Sequence, residues 1–339
     1  MRWLVCQPGP SFSVQDLFAG WVEALRELGQ DVHTYSLDER LTFFGSVLME
    51  TDEPGKFKRA VTPAQSYDMA IEGLYATLYQ TWPDVLLIVS GFFVPPKLLD
   101  RARRTRTRVV VLHTESPYED ERQLKLAPYA DLNLVNDPIN IDRYPKGTRY
   151  LPHAYRPSIH HPGPAVAELR SDFAFVGTGY PSRVGFLEQL DLDGLDVLLA
   201  GNWQLLDDDH PLRKHVAHDL GDCLDNTKTA DVYRSAAVGM NLYRRESERP
   251  GLAAGYAIGP REVELAATGC FFLRDPRQES DAVFPMLPSF TSPDEASDLL
   301  RYWLNRPAER QRLATLAREA IADRTFTNSA KSLLRLLDA

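Results

Sequence analysis

The chain has 339 residues, 44% of them apolar and 25% charged, with three cysteines and a formal net charge of −9. That length predicts two domains, and so large an apolar fraction excludes a chain that is disordered throughout. No apolar run reaches the ~18 residues of a membrane span, and the acidic balance argues against adhesion to nucleic acid by charge alone. Cys6, Cys223 and Cys270 are odd in number and too scattered for a disulfide framework or a CxxC metal site. The opening stretch MRWLVCQPGP runs into Gly-Pro and lacks the pattern of a signal peptide. The expectation is a cytoplasmic protein.

Residues 2–6 predict a short buried strand, followed by a turn-rich loop. Ser13 and Asp16 have the spacing of a capping box, in which Ser13 caps the first turn of a helix. Val14, Leu17, Phe18, Trp21, Leu25 and Leu28 recur at helical spacing, and Gly29 ends that helix as a left-handed cap. Residues 31–35 predict the next strand. A strand–loop–helix–strand unit opens a parallel α/β sheet, whose ligands bind beyond the C-terminal ends of the strands. The pattern continues with a helix over 64–81, an all-apolar strand over 84–90, a helix over 96–104 and strands at 109–113, 131–136 and 149–151. Continuous apolar strands are those of a sheet covered on both faces.

The segment 152–164 has four prolines and no periodicity, and it predicts an interdomain linker. Its adjacent His160 and His161 do not point at one metal. The arginines at 101, 103, 104, 106 and 108 read plainly as a solvated helix end, or as an anion or acceptor contact.

Residues 172–176 begin a second strand–loop–helix unit. Its loop runs Gly177-Thr-Gly-Tyr-Pro-Ser-Arg183, and the helix carries Phe186, Leu187 and Leu190. A glycine-rich turn opening a helix is either a plain turn or an anion site, and Arg183 adds a permanent charge suited to phosphate. The dinucleotide fingerprint is incomplete, because Ser182 stands where its third glycine belongs and the strand at 196–203 has no acidic residue at its end. The Asp207–Asp209 run reads as a solvated loop rather than a metal motif. Within 231–243 a helix ends near Ala236 and a strand, VGMNLY, follows. Arg244 and Arg245 then lie at the ligand edge of the sheet, ahead of a glycine-rich, mobile loop over 246–258.

The segment 259–273, GPREVELAATGCFFL, is the most informative. Pro260 suits the first helical position, Gly269 ends the helix, and Glu264 sits among Val263, Leu265, Ala266 and Ala267. A carboxylate in such company needs a partner. Ser292-Pro-Asp-Glu295 predicts a second capping box before a helix over 291–304. Further helices are predicted at 307–322 and 328–337.

These segments resemble GT-B glycosyltransferases, in particular the group related to the spore maturation protein CgeB. FAFVGTGYPSR (173–183) is similar to that group's first strand and phosphate loop. YRSAAVGMNLYRR (233–245) is similar to its second signature, and residues 259–273 to its P-R-x-x-E-x-x-A-x-G helix. Residues 292–326 are similar to its C-terminal helices, and 83–91, 113–118 and 151–157 are fainter matches. The resemblance implies an α/β protein with two Rossmann-like domains facing across a cleft: an acceptor domain over 1–157, on which a final helix at 328–339 packs back, and a nucleotide-sugar domain over 158–327. It implies a nucleotide-diphosphate sugar as donor, with neither metal nor cofactor. Glu264 then holds the ribose, while Gly177, Gly179, Arg183, Arg244 and Arg261 stabilise the departing diphosphate, where charge grows in the transition state. Many retaining relatives carry a second glutamate eight residues earlier, where this chain has Tyr256, so the stereochemical outcome stays open. An inverting enzyme needs a base on the N-terminal domain. Glu115 is the first candidate, with His113 and Asp16 behind it.

Three functions fit this pattern: glycosyl transfer, nucleotide-sugar epimerisation, and binding of a nucleotide sugar without turnover. The expected acceptor is a hydroxyl on a protein or surface glycan, with nucleic acid disfavoured by the charge. The oligomeric state is not legible.

Overall fold

The structure is a computed structural model that describes residues 1–7, 9, 14–246 and 255–338. The chain divides into two compact units, residues 1–151 with 330–339, and residues 152–329. Among the described residues, no helix is long and apolar enough to cross a membrane.

The first unit is built on β1 (Arg2–Gln7), β2 (Asp31–Ser36), β5 (Val85–Val89), β6 (Arg108–His113), β7 (Leu132–Val135) and β8 (Arg149–Tyr150), all parallel in the order β2-β1-β5-β6-β7-β8. Residues Val85 to Val89 are wholly buried, as a strand covered on both faces must be. The crossover helices are α1 (Gln15–Glu27), α3 (Pro63–Thr81) and α4 (Pro96–Arg104). The cap assigned to Ser13 lies outside the described residues, and α1 follows Val14. Gly29 ends α1 as expected, with φ +71° and the Gln30 amide donating back to Leu25 O at 3.0 Å.

An excursion that the periodicity does not reveal follows β2. It holds α2 (Leu37–Gly45) and an antiparallel hairpin, β3 (Leu48–Glu50) with β4 (Phe57–Arg59). The hairpin strands are three residues long and wholly exposed, so burial writes no alternation into their sequence. After β6 the chain makes a one-turn helix, α5 (Asp120–Gln123). The basic run is divided: Arg101 lies over the Tyr75 ring, Arg103 pairs with Asp131, and Arg108 donates to Leu337 O.

In the second unit, β9 (Ser171–Val176), β10 (Val197–Ala200), β11 (Ala236–Asn241) and β12 (Phe272–Arg274) form a parallel sheet in the order β10-β9-β11-β12. Its helices are α6 (Pro181–Leu187), α7 (Asn226–Ser235), α8 (Pro260–Thr268), α9 (Gln278–Val283), α10 (Pro293–Leu304) and α11 (Pro307–Ala320). The last helix, α12 (Phe326–Asp338), starts in this unit and finishes in the first. Three expectations shift. The strand expected over VGMNLY begins at Ala236 and ends at Asn241, because Leu242 turns its carbonyl to Arg183. Helix α6 stops at Leu187, leaving Leu190 to pack beyond its end. Only half of the second capping box forms: Ser292 caps the Glu295 amide, but the Glu295 carboxylate reaches one residue further back, to Thr291. Of the glycine-rich loop over 246–258, residues 247–254 lie outside the described residues.

In each sheet the strand order reverses direction once, between β1 and β5 and between β9 and β11. Beyond the C-terminal ends of such strand pairs, adjacent connections diverge to opposite faces and leave a crevice for ligands.

Candidate functional site

The expected donor residues gather at the reversal between β9 and β11. Arg261, in the first turn of α8, donates Nε–H to Val176 O at the end of β9 and Nη1–H to Asn241 Oδ1 at the end of β11, the latter at 3.2 Å. Arg183, in α6, spans the same gap. Its Nε and Nη2 donate to Leu242 O at 3.1 and 2.9 Å, and its Nη1 donates to Thr178 O at 3.0 Å. Arg183 is buried, with the Tyr180 ring centroid 5.2 Å from its Cζ. Arg244 approaches the same ring, at 5.0 Å. Arg245 instead pairs with the buried Asp275.

The glycines of the loop have packing reasons. A side chain at Gly177 would run into the Arg261 guanidinium, and one at Gly179 into the Trp203 ring. Gly201, which sequence reading passed over, is the most constrained. Its φ is +105°, and a Cβ there would stand 2.5 Å from Gly177 O, in the neighbouring backbone. Only glycine fits both demands. The turn therefore holds its shape through close approach of two loops and two side chains.

Helix α8 presents two glutamates with different fates. Glu262 is fully buried and accepts from Tyr243 Oη, from Ser280 Oγ at 2.6 Å and from the Gly259 amide at 3.0 Å. Burial pushes its carboxyl above the usual range despite those bonds. It fixes the entry of α8. Glu264 is half-buried and accepts one hydrogen bond among the described residues, from Asn226 Nδ2 at 3.2 Å. Desolvation raises its carboxyl too, partly offset by the Arg261 charge and the Asn226 bond. Arg261 and Glu264 are three residues apart and so share one face of the helix.

Sequence reasoning missed Asn226, Asn241, His160 and Glu246. Asn226 opens α7, and its Nδ2 lies 3.3 Å from Nε2 of His160, which is buried within the segment expected to be the linker. Asn241 is buried, and its Nδ2 has no hydrogen-bond partner among the described residues. A polar amide inside the run VGMNL was a legible signal of a role at the strand end. The Glu246 carboxylate accepts the Ser182 amide of α6 at 2.8 Å and the Arg245 amide at 3.2 Å. Burial works to raise its pKa, but the hydrogen bonds led by the Ser182 amide outweigh that and hold it low. The Asp207–Asp209 run lies in a loop, where the nearly fully exposed Asp208 pairs with Arg213.

The three base candidates belong to the first unit. Asp16 lies in the first turn of α1, beyond β1. His113 ends β6 and is buried. Asn133 donates Nδ2–H to Ala127 O, which turns its Oδ1 to His113 Nε2 at 2.8 Å. Nε2 therefore carries the proton, and burial lowers the ring's pKa to about 4. That is a weak base at neutral pH. Glu115 lies two residues further on, in a loop shaped by buried polar groups. Gln123 accepts the Glu115 amide at 2.9 Å and donates to Tyr144 Oη at 2.8 Å, and Tyr144 donates to the buried Asp120 at 2.8 Å.

Residues 183–335 match the model of a family described as glycosyl transferase-like. A search of curated proteins finds no significant match. Among solved structures, the chain is similar to sucrose-phosphate synthase from Thermosynechococcus elongatus, with TM-score 0.67, 13% identity and coverage of 100% of this chain and 98% of that one. It is similar to an alpha-glucosyltransferase in complex with UDP, with TM-score 0.66, 13% identity and 99% coverage of both chains. An alpha-glucosyltransferase has also been solved with UDP and a 13-mer DNA. A protein assigned as a UDP-N-acetylglucosamine 2-epimerase, from Listeria monocytogenes, matches with TM-score 0.60 and 11% identity over 99% of this chain and 95% of that one. The fold is thus that of the GT-B glycosyltransferases over the whole chain, and with the match at 183–335 it supports an enzyme of glycosyl transfer.

Proposed function

We propose that the chain transfers a sugar from a nucleotide-diphosphate sugar to a hydroxyl of a protein or surface glycan, without a metal ion. The observation that carries this reading is the pairing of Arg261 and Glu264 on one face of α8. The arginine reaches to the glycine loop at the β9–β11 reversal, and the half-buried carboxylate accepts a single hydrogen bond among the described residues. A carboxylate so placed suits the two hydroxyls of a ribose, and the cationic side chains suit a diphosphate. Arg183 acts mainly as a positioning residue, because its guanidinium is bonded to backbone carbonyls. Glu115 is the proposed base on the acceptor side, held by Gln123 through its amide. The net charge of −9 disfavours a nucleic-acid acceptor.

The test is a donor screen by calorimetry with UDP-, GDP-, TDP- and CMP-sugars, then a turnover assay with and without EDTA. Binding of at least one donor and EDTA-resistant turnover are expected. Loss of turnover on chelation, restored by Mn²⁺, would overturn the metal-free part. Epimerisation is the second reading, favoured by the fold shared with the Listeria protein. Release of the donor's sugar as a different epimer would establish it.

A further inference from the structure

At the opposite edge of the second sheet lies a cavity of about 350 Å³. It is within the size range of small-molecule sites. Its lining includes Arg234, Arg310, Arg318, Gln311, Thr315 and Thr268, and no aspartate or glutamate. Ala236 and Ala237, at the start of β11, form part of its wall. Asn241, in the candidate donor site, ends that strand. Five residue steps separate Ala236 from Asn241, or roughly 16 Å, so the two sites are distinct.

The three arginines differ in what already occupies them. Arg234 donates to the Ile159 and His161 carbonyls and pairs with Asp231. Arg310 donates to Trp303 O and Leu304 O, the last carbonyls of α10. Among the described residues it has no carboxylate at ion-pair distance, and partial burial lowers its pKa. Arg318 is exposed and has neither a hydrogen bond nor an ion pair from its guanidinium among the described residues. Gln311, Thr315 and Arg318 follow one another at spacings of four and three on α11, so they present one polar face. Tyr233 and Phe271 supply apolar wall on the other side.

We infer that this cavity is a second binding site, for a small phosphorylated metabolite or free phosphate, held by Arg310 and Arg318 with the polar face of α11. Two guanidiniums with no ion-paired carboxylate among the described residues, in a cavity with no acidic lining residue, match a phosphate dianion, which arginine binds with paired N–H groups. The remaining volume takes the rest of an ester. The inference does not rest on the donor-site reading: Tyr233 of the cavity wall hydrogen-bonds Arg261, but neither Arg310 nor Arg318 belongs to the donor site.

The experiment is calorimetric titration of the full chain with inorganic phosphate and with glycerol 3-phosphate. Wild type is compared with Arg318→Glu, Arg310→Ala and Arg261→Ala. Millimolar or tighter binding is expected in wild type and in Arg261→Ala. Arg318→Glu is expected to weaken it by about tenfold or more, the loss of one charge-assisted contact. Arg318 is exposed, so its variant keeps the fold, whereas Arg310 also caps α10 and its variant is checked by thermal unfolding. Tighter binding of the ester assigns the site to an ester, and equal binding assigns it to free phosphate. Failure of both probes to bind, or binding unchanged in Arg318→Glu, overturns the inference. Binding lost only in Arg261→Ala would place the anion in the donor site and also overturn it.

Discussion

The Arg261 guanidinium occupies the space that a side chain at Gly177 would need. In the ideal geometry a Cβ on Gly177 is 3.1 Å from Arg261 Cζ, with Arg183 Nη1 a further 0.3 Å out, at 3.4 Å. Gly177→Ala is therefore expected to push Arg261 off Val176 O and Asn241 Oδ1 while leaving the sheet intact. Nucleotide affinity is expected to fall by about tenfold, one charge-assisted contact, and the +159° φ at this position adds a stability loss smaller than that of Gly201→Ala. Gly201→Ala has no flexible neighbour to move, only the Gly177 backbone. Its expected effect is a stability loss of about 1–3 kcal/mol, the range of an overpacked site. Urea unfolding and UDP calorimetry on both variants separate the two outcomes, and equal stability losses would contradict the assignment.

Glu246 supplies a second test, because its carboxylate already holds the Ser182 amide that the glycine-loop reading offers to a phosphate. A diphosphate bound at that amide has to displace a carboxylate of like charge. Glu246→Ala is expected to raise UDP affinity severalfold, and Glu246→Gln by less, since its amide oxygen still accepts the Ser182 N–H. Weaker binding in both variants would show that Glu246 supports the ligand instead of competing with it.

The parallel strands and their crossover helices were legible because their burial is continuous: Val85 to Val89 and Val109 to Val111 read as strands from composition alone. The hairpin over Leu48–Arg59 was illegible because its residues are exposed and carry no burial pattern. Within the candidate site, Arg183, Arg261 and Glu264 stand out by charge type, and the two glycines by spacing. What sequence does not carry is the pairing. Nothing in Gly201 alone reveals that its neighbour is Gly177, and nothing in Asn226 reveals that it joins Glu264 to His160. Those contacts come from strand order, which places loops that are 24 residues apart side by side.

His113 makes the stability of the first unit sensitive to acid. Burial holds its folded pKa at about 4, against 6.5 in the unfolded chain. Between those values the unfolded chain binds a proton that the folded chain does not, so stability falls as pH drops through that window. The slope approaches 1.4 kcal/mol per pH unit and the full loss is about 3 kcal/mol. His113→Gln keeps a donor toward Asn133 and removes the titration. Urea unfolding at pH 7 and pH 5 is expected to show a smaller difference for the variant than for wild type. Equal differences would mean that the ring protonates in the folded state.

Glu264 carries the reading of the donor site, and its two neighbours, one charged and one a neutral amide, make a specific prediction. Its carboxyl lies above the usual range because burial outweighs Arg261 and Asn226. A ribose held by two hydroxyl hydrogen bonds requires the ionised form, so UDP affinity is expected to fall as pH drops, starting at higher pH than for a solvent-exposed glutamate. Glu264→Gln keeps the size and one acceptor oxygen but loses the charge. Each lost charge-assisted bond is worth roughly 1.5–3 kcal/mol, so affinity is expected to drop by about tenfold or more at neutral pH. The variant's affinity is then expected to be flat over the pH range in which wild type declines. A 2′-deoxynucleotide control sharpens the result: wild type discriminates between ribo and deoxy ligands, and the variant largely loses that discrimination. Structural loss alone gives a different pattern, because a Glu264 that only braces α7 through Asn226 would lower the unfolding temperature and leave the ribo-to-deoxy ratio of wild type near unity.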